Sequence, residues 1–293
     1  MAERLTTISV SGYRSLASIR DLELRSLNVL IGANGSGKSN VLSLFQMLSY
    51  MMSEGLQLYV GRKGGANSLL HLGARKTPAI TASLEFAGHN VASRYHFTLA
   101  HAQPDTLQFA DETLEFRNVD ASTPFVAPLG AGHAESRVPA MAGAQQDSAR
   151  NRAARIFQRR LTEVKEYHFH DTSDRAPIRL MQEASRNRFL QSDGGNLAAY
   201  LLRLREAYPD HFRHIQDTVR LVMPFLHEFI LEPEHNDIGR SVMLRWRGND
   251  LDYEFGPHQL PDGGIRAIAL VTLLLQPADL AASTILIDEP ELG

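Results

Sequence analysis

Apolar and polar residues alternate in short segments between residues 5 and 116. This period of two predicts β-strands that bury one face. The alternating segments are residues 5–13, 19–24, 80–86, 92–99 and 106–116. Only short polar turns separate the last three segments, so we expect them to form an antiparallel β meander.

A different pattern follows the first two alternating segments. Residues 27–31 form a short run that is apolar except for Asn28, which predicts a buried strand. A glycine-rich loop comes next, and apolar side chains then recur at helical spacing as far as Met52. This spacing predicts a helix that begins at Lys38. The predicted order is therefore strand, glycine loop and helix.

The rest of the chain mixes helical and extended patterns. Residues 120–148 are rich in Ala, Gly, Pro and Ser and lack periodicity, so we expect a flexible loop. Residues 263–275 are almost wholly apolar, which predicts a helix buried on all sides. Further helices are predicted at residues 149–164, 197–206 and 211–223, and strands at residues 165–170, 225–231, 241–246 and 284–287. We expect the last of these strands to be buried.

Composition narrows the class of protein. With 293 residues, 43% hydrophobic and 22% charged, the chain is globular, with one large domain or two small ones. A net charge of −3 gives no global sign of nucleic-acid or anionic-membrane binding. The absence of cysteine excludes disulfides and thiolate metal sites and fits a reducing cytoplasm. We expect no signal peptide, because the first residues carry charge and no apolar core. We also expect no bilayer-spanning segment, because the longest apolar stretch, residues 267–275, is too short.

The glycine loop carries the strongest chemical motif. Residues 32–39 fit the pattern G-x-x-x-x-G-K-S, which binds the phosphates of ATP or GTP. In this motif the backbone N–H groups turn inward, Lys38 contacts the β- and γ-phosphates, and the Ser39 hydroxyl binds Mg²⁺. The predicted nucleotide-binding residues are Gly32, Ala33, Asn34, Gly35, Ser36, Gly37, Lys38, Ser39 and Asn40.

Two further segments suit the same chemistry. The apolar residues 284–287 lead into Asp288 and Glu289, and acids at the carboxyl end of such a strand face the ligand crevice of an α/β sheet. Asp288 is a candidate Mg²⁺ ligand and Glu289 a candidate general base. Before the apolar helix, Asp262, Gly263 and Gly264 either expose N–H groups to an anion or form a simple turn, and both interpretations stay open.

Together these segments resemble the ABC-type ATPase heads of the SMC/RecF/OLD group, and most closely the bacterial AAA-type or RecF-like ATPases. Residues 8–16, with Tyr13-Arg14-Ser15, resemble the group's first strand and its aromatic-Arg-Ser pattern. Residues 32–39 are the Walker A loop, 260–266 resemble the signature, and 288–293 resemble Walker B and its continuation. Residues 167–173 and 193–197 also resemble landmarks of the group.

The resemblance implies a P-loop NTPase of the α/β class that forms a single head. It would have a mainly parallel core sheet, an N-terminal antiparallel β subdomain and a helical insert. The implied parts are a Walker A lobe (1–60), the β meander (61–119), a flexible loop (120–148), the insert (149–235) and the signature and Walker B part (236–293).

The resemblance also implies the activity. Two heads would enclose two ATP molecules with Mg²⁺ held by Ser39 and Asp288, and Glu289 and Lys38 would be catalytic. Arg14 would contact the nucleotide, while Asp262, Gly263 and Gly264 would act across the dimer. The resemblance further implies a cytoplasmic homodimer that acts on DNA in repair, recombination or phage defence. A partner protein or a nuclease would act with it, and no membrane would be involved.

Two departures from the group's pattern keep an alternative open. Pro261 replaces the usual signature serine, and the chain stops five residues after Asp288, before the next strand and switch histidine of the group. We therefore expect a core sheet that is incomplete at its C-terminal end. The alternative is a truncated or partner-completed module that binds nucleotide without turnover.

Two other clusters remain ambiguous. Five arginines at 150, 152, 155, 159 and 160 form either a solvated helix face or a phosphate-contacting patch. His168 and His170 share a strand face and could ligate zinc, although no third ligand is evident. A transporter ATPase subunit is disfavoured, because a β-rich insert and a long loop separate Lys38 from Asp288.

Overall fold

The computed structural model describes residues 4–88, 91–118, 124–145, 148–236, 239–249 and 252–290. Contacts divide the chain into two compact units, Met1–Val164 and Lys165–Gly293. Each unit has its own sheets, helices and apolar core, and each is described by itself.

The first unit is built on an antiparallel sheet. Its elements are β1 (Arg4–Tyr13), β2 (Leu16–Glu23), α1 (Lys38–Met51), α2 (Leu56–Arg62), α3 (Ala66–Leu69), β3 (Ala79–Ala87), β4 (Val91–Ala102), β5 (Thr106–Asn118), β6 (Phe125–Pro128), α4 (Val138–Ala142) and α5 (Ala149–Thr162). The strand order is β2-β1-β3-β4-β5-β6, and every neighbouring pair is antiparallel. The predicted β meander and the predicted helices at 38–52 and 149–164 are confirmed.

One face of this sheet is buried, as the alternation predicts. Along β3, Ile80, Ala82, Leu84 and Phe86 are buried and the residues between them are half-buried. Phe157 of α5 packs edge-on against Phe86, with ring centroids 5.7 Å apart. Burial of such aromatic side chains accounts for the docking of α5 on the sheet.

The predicted strand at residues 27–31 does not form. These residues lie in coil, and Leu27, Val29 and Ile31 are 78%, 71% and 92% exposed. A buried strand requires neighbours that pair its backbone groups and cover its side chains. No strand in the described ranges does this for residues 27–31, so the prediction is wrong for this structure.

Much of the predicted flexible loop at residues 120–148 is ordered. It contains β6 and α4, while residues 120–123, 146 and 147 lie outside the described residues. The fully buried Glu112 carboxylate organises the segment by accepting hydrogen bonds from Ser136 Oγ at 2.5 Å and from the Arg137 N–H at 3.0 Å. His133 Nε2 lies 2.9 Å from the same carboxylate. Composition could not reveal this anchor, because Glu112 lies outside the segment.

The second unit is a mixture of helices and small sheets. Its elements are β7 (Val164–Tyr167), β8 (Gln182–Glu183), α6 (Leu197–Ala207), α7 (Pro209–Val222), β9 (Leu226–Ile230), β10 (Glu234–Asn236), β11 (Gly239–Val242), β12 (Arg245–Gly248), β13 (Glu254–Phe255), α8 (Asp262–Leu275) and β14 (Thr284–Ile287). The sheets have the orders β10-β11-β8, β13-β12-β9 and β14-β7. Most predicted elements are confirmed, although residues 241–246 divide between β11 and β12.

Two predictions about burial in this unit are wrong. One side of α8 is buried, through residues such as Ile265 and Leu273, but Leu274 is exposed. The strand β14 is half-buried along its whole length, because β7 is its one partner in the described chain. The predicted mainly parallel core sheet is likewise not seen in the described ranges, where the three larger sheets are antiparallel.

Candidate functional site

The glycine loop folds into an exposed turn that leads directly into α1. The Ser36 N–H donates to the Ala33 carbonyl at 3.1 Å, which closes the turn. Gly35 and Gly37 have φ of 82° and 106°, in the region that disfavours side chains. Gly32, Ala33, Asn34, Gly35 and Ser36 are exposed, so the turn is accessible to a ligand.

The N-terminus of α1 has no competing anion of its own. No side chain caps the helix and no acidic residue lies in its first turn. Free N–H groups and the positive end of the helix dipole therefore point toward the loop. Ser39 is exposed beside this end, where its hydroxyl is accessible to a metal ion. These features fit a phosphate group with its Mg²⁺.

Lys38 bends back onto its own loop. Its Nζ donates to the Gly32 carbonyl at 2.6 Å and to the Ala33 carbonyl at 3.2 Å. The ammonium group is thus held across the mouth of the turn by neutral acceptors. A phosphate oxygen is a stronger acceptor than either carbonyl. Lys38 can accordingly exchange these contacts for a bound phosphate.

The turn between β1 and β2 packs against the start of α1. Asn40 Nδ2 donates to Ser15 Oγ at 2.7 Å, and Arg14 Nη1 lies 3.4 Å from both Asn40 Oδ1 and Ser43 Oγ. A Cβ on Gly37 would come within 2.8 Å of Ser15 Oγ, so this approach needs glycine. Arg14, Ser15 and Asn40 therefore form one polar group beside the phosphate loop.

The backbone of Arg14 is held in an unusual conformation. Its φ is 48°, in the left-handed region that non-glycine residues seldom occupy. The Arg14 N–H donates to the Leu69 carbonyl at 2.8 Å, and His71 Nδ1 lies 2.6 Å from the Arg14 carbonyl. Surrounding contacts thus fix the strained residue, a pattern common at functional sites.

Beneath this turn lies a buried cluster of hydroxyl groups. The Tyr13 hydroxyl lies 3.0 Å from both Ser43 Oγ and the Tyr59 hydroxyl. Burial raises the pKa of Tyr13, and the neighbouring Tyr59 raises it further. Tyr13 therefore stays protonated and available as a donor, and the cluster ties β1 to α1 and α2.

The acidic pair lies in the second unit at the end of β14. The Asp288 N–H donates to the Tyr167 carbonyl at 3.1 Å, which extends the pairing of β14 with β7. Asp288 is half-buried, whereas Glu289 is exposed. Glu289 has a φ of 46°, so it shares with Arg14 a strained left-handed backbone.

The signature segment surrounds a buried arginine that the sequence analysis missed. Arg179 donates to the Thr172 carbonyl at 2.6 Å, to the Leu260 carbonyl at 3.1 Å, and to Asp262 Oδ1 at 2.7 Å. It also bonds the Pro257 carbonyl. The hydrogen bond from Arg179, followed by one from Thr172, lowers the pKa of Asp262. Arg179 thereby fixes the turn that begins α8.

The two signature glycines differ in packing. Gly264 is buried, and a Cβ there would come within 2.7 Å of Met223 Sδ. A side chain at position 264 would therefore displace Met223. Packing alone can thus explain the glycine at this position, and anion binding is a second possible reason for it. Gly263 is half-buried, at the edge of a cleft.

This cleft brings the signature glycines and the acidic pair of the second unit together. It has a volume of about 430 Å³ and is lined by Gly263, Gly264, Asp288 and Glu289, with apolar walls such as Phe169. Arg266 also lines it and donates to the His170 carbonyl at 2.8 Å. One cationic and two acidic side chains therefore meet at a mostly apolar cavity.

The structure thus groups the predicted site residues into two sets. Residues 32–40 and Arg14 lie together in the first unit, while Asp262, Gly263, Gly264, Asp288 and Glu289 lie together in the second. A magnesium site shared by Ser39 and Asp288 stays a prediction. Arg179 and His71 were missed, because a buried arginine or a carbonyl contact leaves no signal in spacing. Thr172 lies in the predicted landmark at residues 167–173, but its contact with Asp262 was not predicted.

Within the described ranges, no group of three His, Asp or Glu side chains could hold a metal ion. His168 and His170 stack with ring centroids 6.1 Å apart, without a third ligand in that part of the chain. The helices of the described chain are all too short or too polar to cross a bilayer.

Comparison with protein families gives a match over most of the chain. Residues 27–293 match the profile of the family described as "AAA domain, putative AbiEii toxin, Type IV TA system". The matched region includes the phosphate loop, the signature segment and β14 with its acids, whereas Arg14 precedes it. Comparison with curated proteins finds no significant match.

Proposed function

The chain belongs to this AAA-domain family, whose members are generally P-loop ATPases of the α/β class, and we propose that it is an ATPase of the RecF/SMC type. In this proposal ATP joins two heads into a homodimer that acts on DNA in repair, recombination or phage defence. The supporting observation is the open glycine turn at the uncapped N-terminus of α1, with Lys38 folded across it.

The N–H groups of the phosphate loop, Lys38, Ser39 and Arg14 each have a role in this proposal. The N–H groups of Gly35 and Gly37 and the first turn of α1 would bind the phosphates, and Lys38 would leave the Gly32 carbonyl to contact them. Ser39 would hold Mg²⁺, which when bound neutralises phosphate charge. Arg14, steadied by Asn40, would contact the nucleotide.

The acidic pair would complete the site. Asp288 would be the second Mg²⁺ ligand and Glu289 the general base that orients the attacking water. The left-handed backbone of Glu289 supports this role, because strain of this kind persists where the surrounding structure requires a particular side-chain direction. Asp262, Gly263 and Gly264 would contact ATP bound to the second copy.

We also propose that the protein is cytoplasmic, which its cysteine-free composition supports. A nuclease or another partner protein could act with the ATPase, and no membrane partner is proposed.

Pro261 supports a second candidate, a nucleotide-binding module without turnover. Pro261 occupies the N-cap of α8, where the related ATPases carry serine, and its side chain offers no hydroxyl to a nucleotide. A missing contact to a charged phosphate weakens binding by about 1.5–3 kcal/mol. Closure of the dimer would then be weak while nucleotide binding remains.

A hydrolysis assay tests the proposal and separates the two candidates. Purified protein is mixed with ATP, with and without Mg²⁺, and phosphate release is followed in single-turnover and steady-state experiments. The ATPase proposal predicts Mg²⁺-dependent release that Glu289→Gln abolishes. Folded protein that binds ATP but hydrolyses it no faster than buffer contradicts the ATPase and supports the module.

A further inference from the structure

The helix α5 carries positive charge on its exposed side that the proposed ATP chemistry does not use. Its sequence holds five arginines and no acidic residue, in a chain whose net charge is −3. Its opposite side is apolar and buried, through Ala153, Ala154, Phe157 and Leu161. The charge is therefore concentrated on one face of a helix that is firmly packed on the sheet.

Three of these arginines form a line, which we call the arginine stripe: Arg152, Arg155 and Arg159. All three are exposed, and their spacing of three and four residues places them on one helix face, within about 10 Å along the axis. Arg155 Nε also lies 3.3 Å from the Asn151 carbonyl. Arg159 lies 3.8 Å from Glu163, a distance typical of a weak, solvent-exposed ion pair.

The other two arginines serve the fold. Arg150 donates to the Pro128 carbonyl at 3.0 Å, which links α5 to β6. Arg160 lies over the Phe86 ring, with its guanidinium carbon 5.9 Å from the centroid. These contacts anchor the helix at both ends, and the exposed stripe lies between them.

The chemistry of the stripe favours a nucleic-acid backbone. A membrane-surface helix needs apolar side chains on its exposed side, and here the apolar face is buried in the protein. Duplex DNA carries about one charge per 1.7 Å, or about six phosphate charges beside the stripe. Guanidinium groups bind phosphate oxygens through two parallel N–H donors.

We propose that the arginine stripe of α5 binds the phosphate backbone of DNA without reading its sequence. The inference rests on the proposed function, since it identifies the surface through which that ATPase would contact DNA. It is separable from the ATP chemistry, because the stripe includes none of the residues assigned to nucleotide binding.

The test compares two triple variants of the full chain with the same change in charge. The first is Arg152→Gln/Arg155→Gln/Arg159→Gln. The control is Arg175→Gln/Arg186→Gln/Arg213→Gln, which removes three exposed arginines of the second unit. Binding to a fluorescein-labelled 30-base-pair duplex is followed by anisotropy at several KCl concentrations. MgATP binding and thermal unfolding of each variant are measured separately.

We expect the stripe variant to bind the duplex at least tenfold more weakly, and the control to stay within about twofold of the parent. The slope of log affinity against log salt should fall by up to about three in the stripe variant alone. Equal losses in both variants, or no duplex binding by the parent at 50 mM KCl, would overturn the inference. A labelled polyglutamate that binds with the same dependence on the stripe would also overturn it.

These experiments separate a wrong assignment of the DNA-binding surface from a wrong assignment of ATPase activity. Loss of duplex binding with unchanged MgATP binding in the stripe variant supports the inference. A parent protein that binds duplex through the stripe but binds no ATP would refute the ATPase and leave the stripe intact.

Discussion

The side-chain amide of Asn40 donates to Ser15 Oγ at 2.7 Å, which joins the first turn of α1 to the turn between β1 and β2. Asn40 also lies 3.4 Å from the Arg14 guanidinium through its Oδ1. Asn40 therefore links α1, which follows the phosphate loop, to Arg14, the arginine that we expect to contact the nucleotide. The pair shows how residues that are 25 positions apart in sequence build one site.

Removing this amide should weaken nucleotide binding. In Asn40→Ala, Ser15 and Arg14 lose a partner, so we expect MgATP to bind about fivefold more weakly, equivalent to one hydrogen bond of about 1 kcal/mol. Isothermal titration calorimetry measures the affinity. The control Asn187→Ala, in the second unit, should bind like the parent, and equal affinities for all three proteins would exclude the positioning role of Asn40.

Replacing the proposed general base should trap a closed dimer. Glu289→Gln keeps the size of the side chain and removes its basicity, so we expect ATP to remain bound and the dimer to persist. Light scattering after size exclusion, with MgATP present, measures the mass. The exposed Glu232→Gln should behave like the parent, and hydrolysis at the parental rate by Glu289→Gln would show that another group is the base.

The pairing of Asp262 with Arg179 should make stability depend on pH. Since the folded-state pKa of Asp262 is lowered, its contribution is present above the unfolded value of about 3.9 and is lost as the pH falls below it. Asp262→Asn should therefore be less stable than the parent at pH 7, with the difference shrinking below about pH 4. Urea unfolding at several pH values measures this, with Asp210→Asn as control. If the difference in unfolding free energy between the parent and Asp262→Asn did not change with pH, the Asp262–Arg179 pair would not be its source.

The buried carboxylate of Glu112 should be important for stability. It accepts hydrogen bonds from Tyr95, Ser136 and the Arg137 N–H, and the buried Tyr95 has a raised pKa because of burial and this carboxylate. We expect Glu112→Gln to lower the free energy of unfolding by about 2–3 kcal/mol. Urea unfolding measures the loss. Glu115→Gln, on the half-exposed side of the same strand, should change stability by less than about 0.5 kcal/mol, and similar losses in both would refute the role of Glu112.

Period-two alternation and the glycine motif predicted the parts of the fold that depend on local pattern. Strands β3 to β5 and helices α1 and α5 are confirmed because each buries a regularly spaced apolar face. Helix α6 is also confirmed, although residues 197–202 are buried on every side. The strand predicted at residues 27–31 does not form, because a short apolar run predicts burial without showing which neighbouring strands would cover it. The exposure of Leu27 and Ile31 follows from the lack of partners in the described chain.

The candidate site was predictable where the motif itself names the residues. Lys38, Ser39 and the loop glycines follow from spacing alone. Arg179, in contrast, acts through four bonds to residues from Thr172 to Asp262, and long-range contacts of this kind leave no periodic trace. The anchor of the loop at residues 129–137 was missed for the same reason, since Glu112 lies on a distant strand.

Lys38 should decide whether the turn at residues 32–39 binds the phosphates of ATP. Equilibrium binding of MgATP is measured for the parent, for Lys38→Ala and for the exposed control Lys76→Ala. We expect at least tenfold weaker binding in Lys38→Ala, with thermal stability retained, and parental affinity in the control. Equal affinities in folded Lys38→Ala and in the parent would show that the turn does not bind the phosphates through Lys38.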